Sequence, residues 1–269
     1  MGSPLRAAIL RDCRDARALR RMRNLSPSSA EQDAAGEGGA MRTEHIGDAT
    51  LILADCMDIM RDMPDKAFDL AIVDPPYGIG EDGGVFRDRK GGGHRVLEKK
   101  NWDKERPKKK YFSELFRITE NQIIWGANHL CDLFNAKSPG WIYWDKMMGG
   151  DFSDGELAFS SFDTPLKAFS FCNKYHGKTH PTEKPVALYK WLLSRYAKPG
   201  DTILDTHGGS GSSVIACLDM GYSITWIEKD EDYYNAALKR IKDFAAQPKL
   251  PMDDTPEPVE QWLGFEEEL

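Results

Sequence analysis

Long apolar runs are missing from this 269-residue chain. No stretch approaches the roughly 18 consecutive apolar residues that a membrane-spanning helix needs, which argues for a protein that works in water. Paired cysteines are missing as well. Cys13, Cys56, Cys131, Cys172 and Cys217 lie far apart and no two have C-x-x-C spacing. That speaks against a zinc site or a disulfide framework, and it fits a reducing cytoplasm. The G-x-x-x-x-G-K-[ST] loop of the P-loop ATPases is absent. So is any internal repeat. An overall basic charge is also lacking: the formal net charge is −7, which excludes a uniformly basic nucleic-acid binder.

What is present is uneven. Between Arg87 and Lys110 stand eleven Lys or Arg against four acids, a surplus of seven in a chain that is acidic as a whole. A local basic stripe can hold phosphates even on an acidic protein, although many charge runs are plain solvated loops. The ends differ from the middle. Residues 1–40 combine an Arg-rich stretch with a Ser, Ala and Gly-rich linker and read as an extension or arm outside the fold. Residues 247–269 form an acidic, Pro-rich tail.

Between them, short β-rich runs recur: ATLILA at 49–54, FDLAIVD at 68–74, NQIIWG at 121–126, GWIYWD at 140–145, PLKAFSF at 165–171, DTILD at 201–205 and YSITWIE at 222–228. Helical spacing marks 184–197 through Leu188, Trp191, Leu192 and Tyr196, and 231–244 through Tyr234, Leu238 and Ile241. Strands alternating with helices predict an α/β protein, a doubly wound and mostly parallel sheet covered on both faces, filling residues 41–246.

Three of these strands end on an acid: Asp74, Asp205 and Glu228. In open parallel sheets ligands sit beyond the carboxyl ends of the strands, so three acids there outline a site. After Asp205 comes THGGSGSS, whose glycines allow a tight turn into a helix with free N–H groups. Glu228, about 20 residues on, is placed to accept hydrogen bonds from ribose hydroxyls. In HGKTHPTEKP, residues 176–185, Thr182 and Glu183 can cap the following helix and Pro185 suits its first turn. Lys184 at a helix start opposes the macrodipole and is better explained by a nearby anion such as a ligand carboxylate.

Taken together, DPPYG at 74–78, HPTEKP at 180–185, LDTHGGSGSS at 204–213 and IEKDEDYY at 227–234 resemble the amino-group DNA methyltransferases in the permuted order of their β group. The resemblance runs from about residue 48 to 245. It implies a Rossmann-like, circularly permuted methyltransferase fold and S-adenosylmethionine as cofactor, with no metal. It implies that Asp74, Pro75, Pro76 and Tyr77 are catalytic. Asp55, His180, Thr182, Lys184, Asp205, His207, Gly209, Ser210, Gly211 and Glu228 would bind the cofactor; Asp55 reads equally well as a helix N-cap. Two positions depart from the family pattern: Thr206 replaces the usual Pro and His207 the usual Phe, which points to altered cofactor affinity. The segments 123–130 and 152–162 would line the target side. Residues 79–110 would form a mobile basic loop, with Arg87, Arg89, Lys90, Arg95, Lys99 and Lys100 on phosphates of double-stranded DNA. The resemblance further implies a homodimer and a target base flipped from the helix. A restriction nuclease, if one is linked, would be a separate protein. The family more often carries Ser for cytosine N4, so Asp74 favours adenine N6. Cytosine N4 is one alternative, and a catalytically silent DNA-binding regulator on the same scaffold is another.

Overall fold

The computed structural model describes residues 41–82, 100–147, 153–172 and 182–248, together with the backbone of 84–87 and 94–97. Among the described residues, nine strands form one sheet in the order β1-β2-β11-β10-β3-β6-β8-β7-β9. They are β1 (Arg42–Ile46), β2 (Ala49–Leu53), β3 (Phe68–Val73), β6 (Thr119–Trp125), β7 (Ile142–Asp145), β8 (Gly155–Ser160), β9 (Lys167–Ser170), β10 (Thr202–Asp205) and β11 (Ser223–Glu228). The five central strands, β2, β11, β10, β3 and β6, all run parallel. The remaining pair, β4 (Gly84–Arg87) and β5 (His94–Leu97), makes a separate antiparallel hairpin.

The central strands are apolar on both faces, as buried parallel strands must be. Their side chains alternate between two cores. Leu70, Ile72, Ile123, Trp125, Ile203, Ile224 and Trp226 point to one side. Helices α4 (Val186–Tyr196), α5 (Ser212–Met220) and α6 (Glu231–Ala245) cover it through Leu188, Leu192, Val214, Tyr234 and Ile241. Ala71, Val73, Ile124, Leu204 and Ile227 point to the other. There α1 (Cys56–Met60), α2 (Lys109–Ile118) and α3 (Ala127–Leu130) pack through Met60, Phe112, Leu115 and Leu130. The doubly wound, mostly parallel α/β sheet expected from the sequence is the one present.

Connections make the site. From β3 the chain crosses through α2 to β6 on one side; from β10 it crosses through α5 to β11 on the other. Strands β3 and β10 are neighbours, paired at Leu70–Ile203 and Ala71–Leu204. The order of winding therefore reverses between them, and a crevice opens beyond their carboxyl ends. Asp74, Asp205, Glu228 and Asp55 all stand on that edge, at the ends of adjacent strands.

Some elements differ from expectation. The 79–110 stretch is not one loop: it contains the β4–β5 hairpin and a 3-10 turn at Trp102–Lys104, and Lys109 already begins α2. Helix α4 starts at Val186, so Pro185 is its N-cap and not part of its first turn. Among the described residues, no helix is long and apolar enough to cross a membrane.

Candidate active site

At the end of β3, Asp74 meets a cluster of part-buried charge around a buried Lys184. Lys184 Nζ lies 2.5 Å from Asp74 Oδ2 and 2.9 Å from Glu156 Oε2. The Tyr77 hydroxyl donates to Asp74 Oδ1 at 2.5 Å. Lys146 Nζ closes the cluster at 2.6 Å from Glu156 Oε1. Two carboxylates and two ammonium groups thus balance, and the Lys184 side chain is only 2 % exposed. Pairing of this kind is what makes buried charge tolerable. Burial alone would lower the Lys184 pKa, but Asp74 and Glu156 outweigh it and hold the ammonium protonated. Burial likewise pushes Glu156 up, yet Lys184 and Lys146 bring its carboxyl down to about 2. Asp74 behaves differently: burial raises it, Lys184 opposes the rise and Glu156 adds to it, and the net direction is up.

The anion that Lys184 was expected to meet is therefore the protein's own. Glu156 and Lys146 were missed as individual residues. Glu156 sits on β8 inside the 152–162 segment, where only the family resemblance drew attention.

Tyr77 is held from several directions. His129 stacks on its ring with centroids 5.5 Å apart and planes 13° from parallel. Gly126, at φ +64°, passes so close that a Cβ there would come within 2.0 Å of Tyr77 Cε1. That glycine serves two needs at once, a left-handed turn out of β6 and room for the ring.

The Gly-rich turn after β10 is organised by its flanking acids. Asp205 accepts from Ser213 Oγ at 2.6 Å and from the His207 N–H at 3.1 Å, tying the start of the turn to the start of α5. Burial lifts its carboxyl from 3.8 to about 7. Glu228 accepts from the Gly209 N–H at 2.8 Å through one oxygen, and from Lys229 and Asp230 N–H through the other. Burial raises its pKa although these N–H groups pull the other way. Gly209 and Gly211 both have positive φ, 53° and 74°, the second as N-cap of α5. Ser210 is buried, and Arg240 reaches its carbonyl at 2.9 Å while also pairing with Glu183 at 3.3 Å. His207 lies edge-on to Tyr111, with Thr206 Oγ1 3.0 Å from its Nδ1. Burial first, then Lys229, lowers its pKa to about 3, so the ring is neutral.

Asp55 is exposed and caps α1, accepting from the Met57 N–H at 2.8 Å. Lys100 is already paired, 2.7 Å from Asp230 and 2.6 Å from Asp232, at the start of α6. Thr182 is half-buried beside the site. His180, Arg89, Lys90 and Lys99 lie outside the described residues, as do the side chains of Arg87 and Arg95 on the β4–β5 hairpin.

Comparisons with known proteins give a family and a fold. The N6/N4 methyltransferase family model, described as DNA methylase, matches residues 96–239. YubD of Escherichia coli K12 is 27% identical over 221 residues, covering 71% of this chain and 88% of that protein. The type II methyltransferase M.HpaI of Haemophilus parainfluenzae is 24% identical over 245 residues, covering 72% and 74%. The solved M1.HpyAVI–SAM complex shares the fold at a TM-score of 0.50 and 18% identity, covering 72% of this chain and 98% of that one.

Proposed function

The chain belongs to the N6/N4 DNA methylase family, and from that premise we propose that it transfers a methyl group from S-adenosylmethionine to the N6 amine of an adenine flipped out of double-stranded DNA. The observation that carries the reading is Asp74, raised by burial and held between Tyr77 and Lys184, at the switch point of the sheet.

The residues present fit the cofactor. Two left-handed glycines lead into the N-terminus of α5, and two buried acids flank them. Asp205, His207, Gly209, Ser210, Gly211 and Glu228 would hold it, with Asp55 on the neighbouring strand end and His180 and Thr182 before α4. The M1.HpyAVI complex contains SAM, which supports the same choice here. When bound, that group supplies an electrophilic methyl on a sulfonium. Lys184 is assigned to the catalytic carboxylate instead, because its ammonium is shared by Asp74 and Glu156.

An adenine amine is a poor nucleophile because its lone pair is delocalised into the ring. Asp74 and the Pro75 carbonyl would accept its two hydrogens. They aim the lone pair and stabilise the positive charge that grows on nitrogen, as fixed dipoles do in other active sites. Prolines 75 and 76 hold these acceptors with little freedom to reorganise. Each Asp74 oxygen already accepts one bond, from Tyr77 or Lys184, and a carboxylate oxygen can accept another. A raised Asp74 pKa suits it to take the proton that the methylated nitrogen sheds. The flipped base would stack on the face of the Tyr77 ring that His129 leaves uncovered.

The test is to incubate the protein with labelled S-adenosylmethionine and unmethylated DNA, digest to nucleosides and identify the product by mass spectrometry. N6-methyladenine is the expected product. N4-methylcytosine would keep the mechanism and reverse the base. No methylated nucleoside, with cofactor binding intact, would favour the silent regulator.

A further inference from the structure

The loop that follows Asp74 owes its shape to one distant side chain. Asp103 is 2 % exposed. Its Oδ1 accepts from the Tyr77 N–H at 2.6 Å and the Gly78 N–H at 2.8 Å. Its Oδ2 accepts from Ile79 at 3.3 Å and Glu81 at 2.9 Å. Its backbone carbonyl takes the Gly80 N–H at 3.1 Å. Every N–H from Tyr77 to Glu81 therefore ends on this residue. Gly78 and Gly80 have φ of +74° and +78°, which turns successive N–H groups to one side and makes a concavity that takes an anion. Here the anion is built in.

Asp103 is itself firmly set. Trp102–Lys104 form a 3-10 turn entered through a left-handed Asn101. On one side Lys100 is bound to Asp230 and Asp232. On the other, Arg106 donates to the His129 carbonyl at 2.8 Å and pairs with Asp132 at 2.7 Å. His129 is the residue stacked on Tyr77. The chain thus leaves the active site at Glu81 and returns to lock it at Asp103.

We propose that Asp103 is a positioning residue for methyl transfer: its carboxylate fixes the loop that carries Tyr77 and frames Asp74. The proposal rests on the reading of Asp74 to Tyr77 as the catalytic segment. Asp103→Asn tests it with little change in volume. The remaining amide oxygen can still accept from Tyr77 and Gly78, but the amide NH2 faces the N–H groups of Ile79 and Glu81, donor against donor.

The readouts are the single-turnover rate with DNA and S-adenosylmethionine both saturating, the two binding constants and the melting temperature. In Asp103→Asn the rate should fall about 100-fold, the loss that a displacement near 1 Å brings. Both binding constants should stay within about threefold. Asp103→Ala should fall at least as far. A rate within about threefold of wild type in both variants overturns the proposal. So does a rate loss matched by equal losses in cofactor binding and melting temperature, because the residue is then general scaffold. Asp74→Ala is run alongside. If it still transfers methyl groups, the reading of the catalytic segment fails; if it is silent while Asp103→Asn is fully active, only the anchor fails.

Discussion

Lys184 shows how much one side chain can carry. It is the shared partner of Asp74 and Glu156, and its replacement by Met would leave two carboxylates together in a largely enclosed place. Removing one partner of a buried pair typically costs about 3–5 kcal/mol, since the charge left behind is uncompensated. Lys184→Met should therefore lose stability of that order in urea unfolding at pH 8. The loss should shrink at pH 5.5, because without the ammonium both carboxyls rise and the folded state takes up a proton. Adding Glu156→Gln should recover part of the stability at pH 8. A loss independent of pH would mean that packing, and not charge, is what Lys184 provides. Gly126 makes a second case. Ala there would adopt a left-handed φ at a cost of about 1–2 kcal/mol. Its Cβ would also meet the Tyr77 ring at 2.0 Å. Turnover should drop about 100-fold with the fold kept, measured as kcat beside a circular dichroism melt.

Among the elements, the turn from β10 into α5 is where acid, glycine and helix start meet. Asp205 there binds its proton more tightly when folded, at about 7 against 3.8. Between those two values the folded state holds more protons than the unfolded chain, so stability falls as pH rises and the full cost is present above 7. His207, lowered to about 3, works in the opposite sense below the ordinary histidine range. The Asp205 contribution is isolated by difference. Asp205→Asn can still accept from the His207 N–H and donate to Ser213, and it should gain on wild type in melting temperature from pH 5 up to about pH 7 and level off above it. A constant difference would show that Asp205 is ionised throughout. This turn was legible in the sequence, because an apolar strand that ends on an acid and runs into glycines announces itself locally. The central strands were legible for the same reason. Helix α2 was not, since Tyr111, Phe112, Leu115 and Ile118 follow directly on a run of lysines that reads as loop. Strand β1 is short and polar at the sheet edge, and β8 begins polar. Asp103 had no local signal at all. Its partners lie 22 to 26 residues earlier, and only the folded chain brings them together.

Across the whole molecule the charge is divided: a chain of net −7 contains a basic excursion between Arg87 and Lys110. Most of that charge lies in sequence between Glu81 and Asp103, which are hydrogen-bonded to each other beside the catalytic loop. On an acidic protein, approach to DNA must be local, through a patch that neutralises phosphates and releases counterions from the duplex. Replacing Arg87, Arg89, Lys90, Arg95 and Lys99 together by Gln should flatten the dependence of log Kd on log salt, by up to about 0.9 for each phosphate no longer neutralised. Single-turnover transfer at saturating DNA should stay close to wild type, because none of these residues is assigned to the chemistry. Lys100→Gln should behave differently. Its ammonium is engaged with Asp230 and Asp232, so the salt slope should hardly move while the melting temperature falls. Fluorescence anisotropy across a salt series, on both variants, separates the two. An unchanged slope in the fivefold variant would place DNA on another face of the molecule.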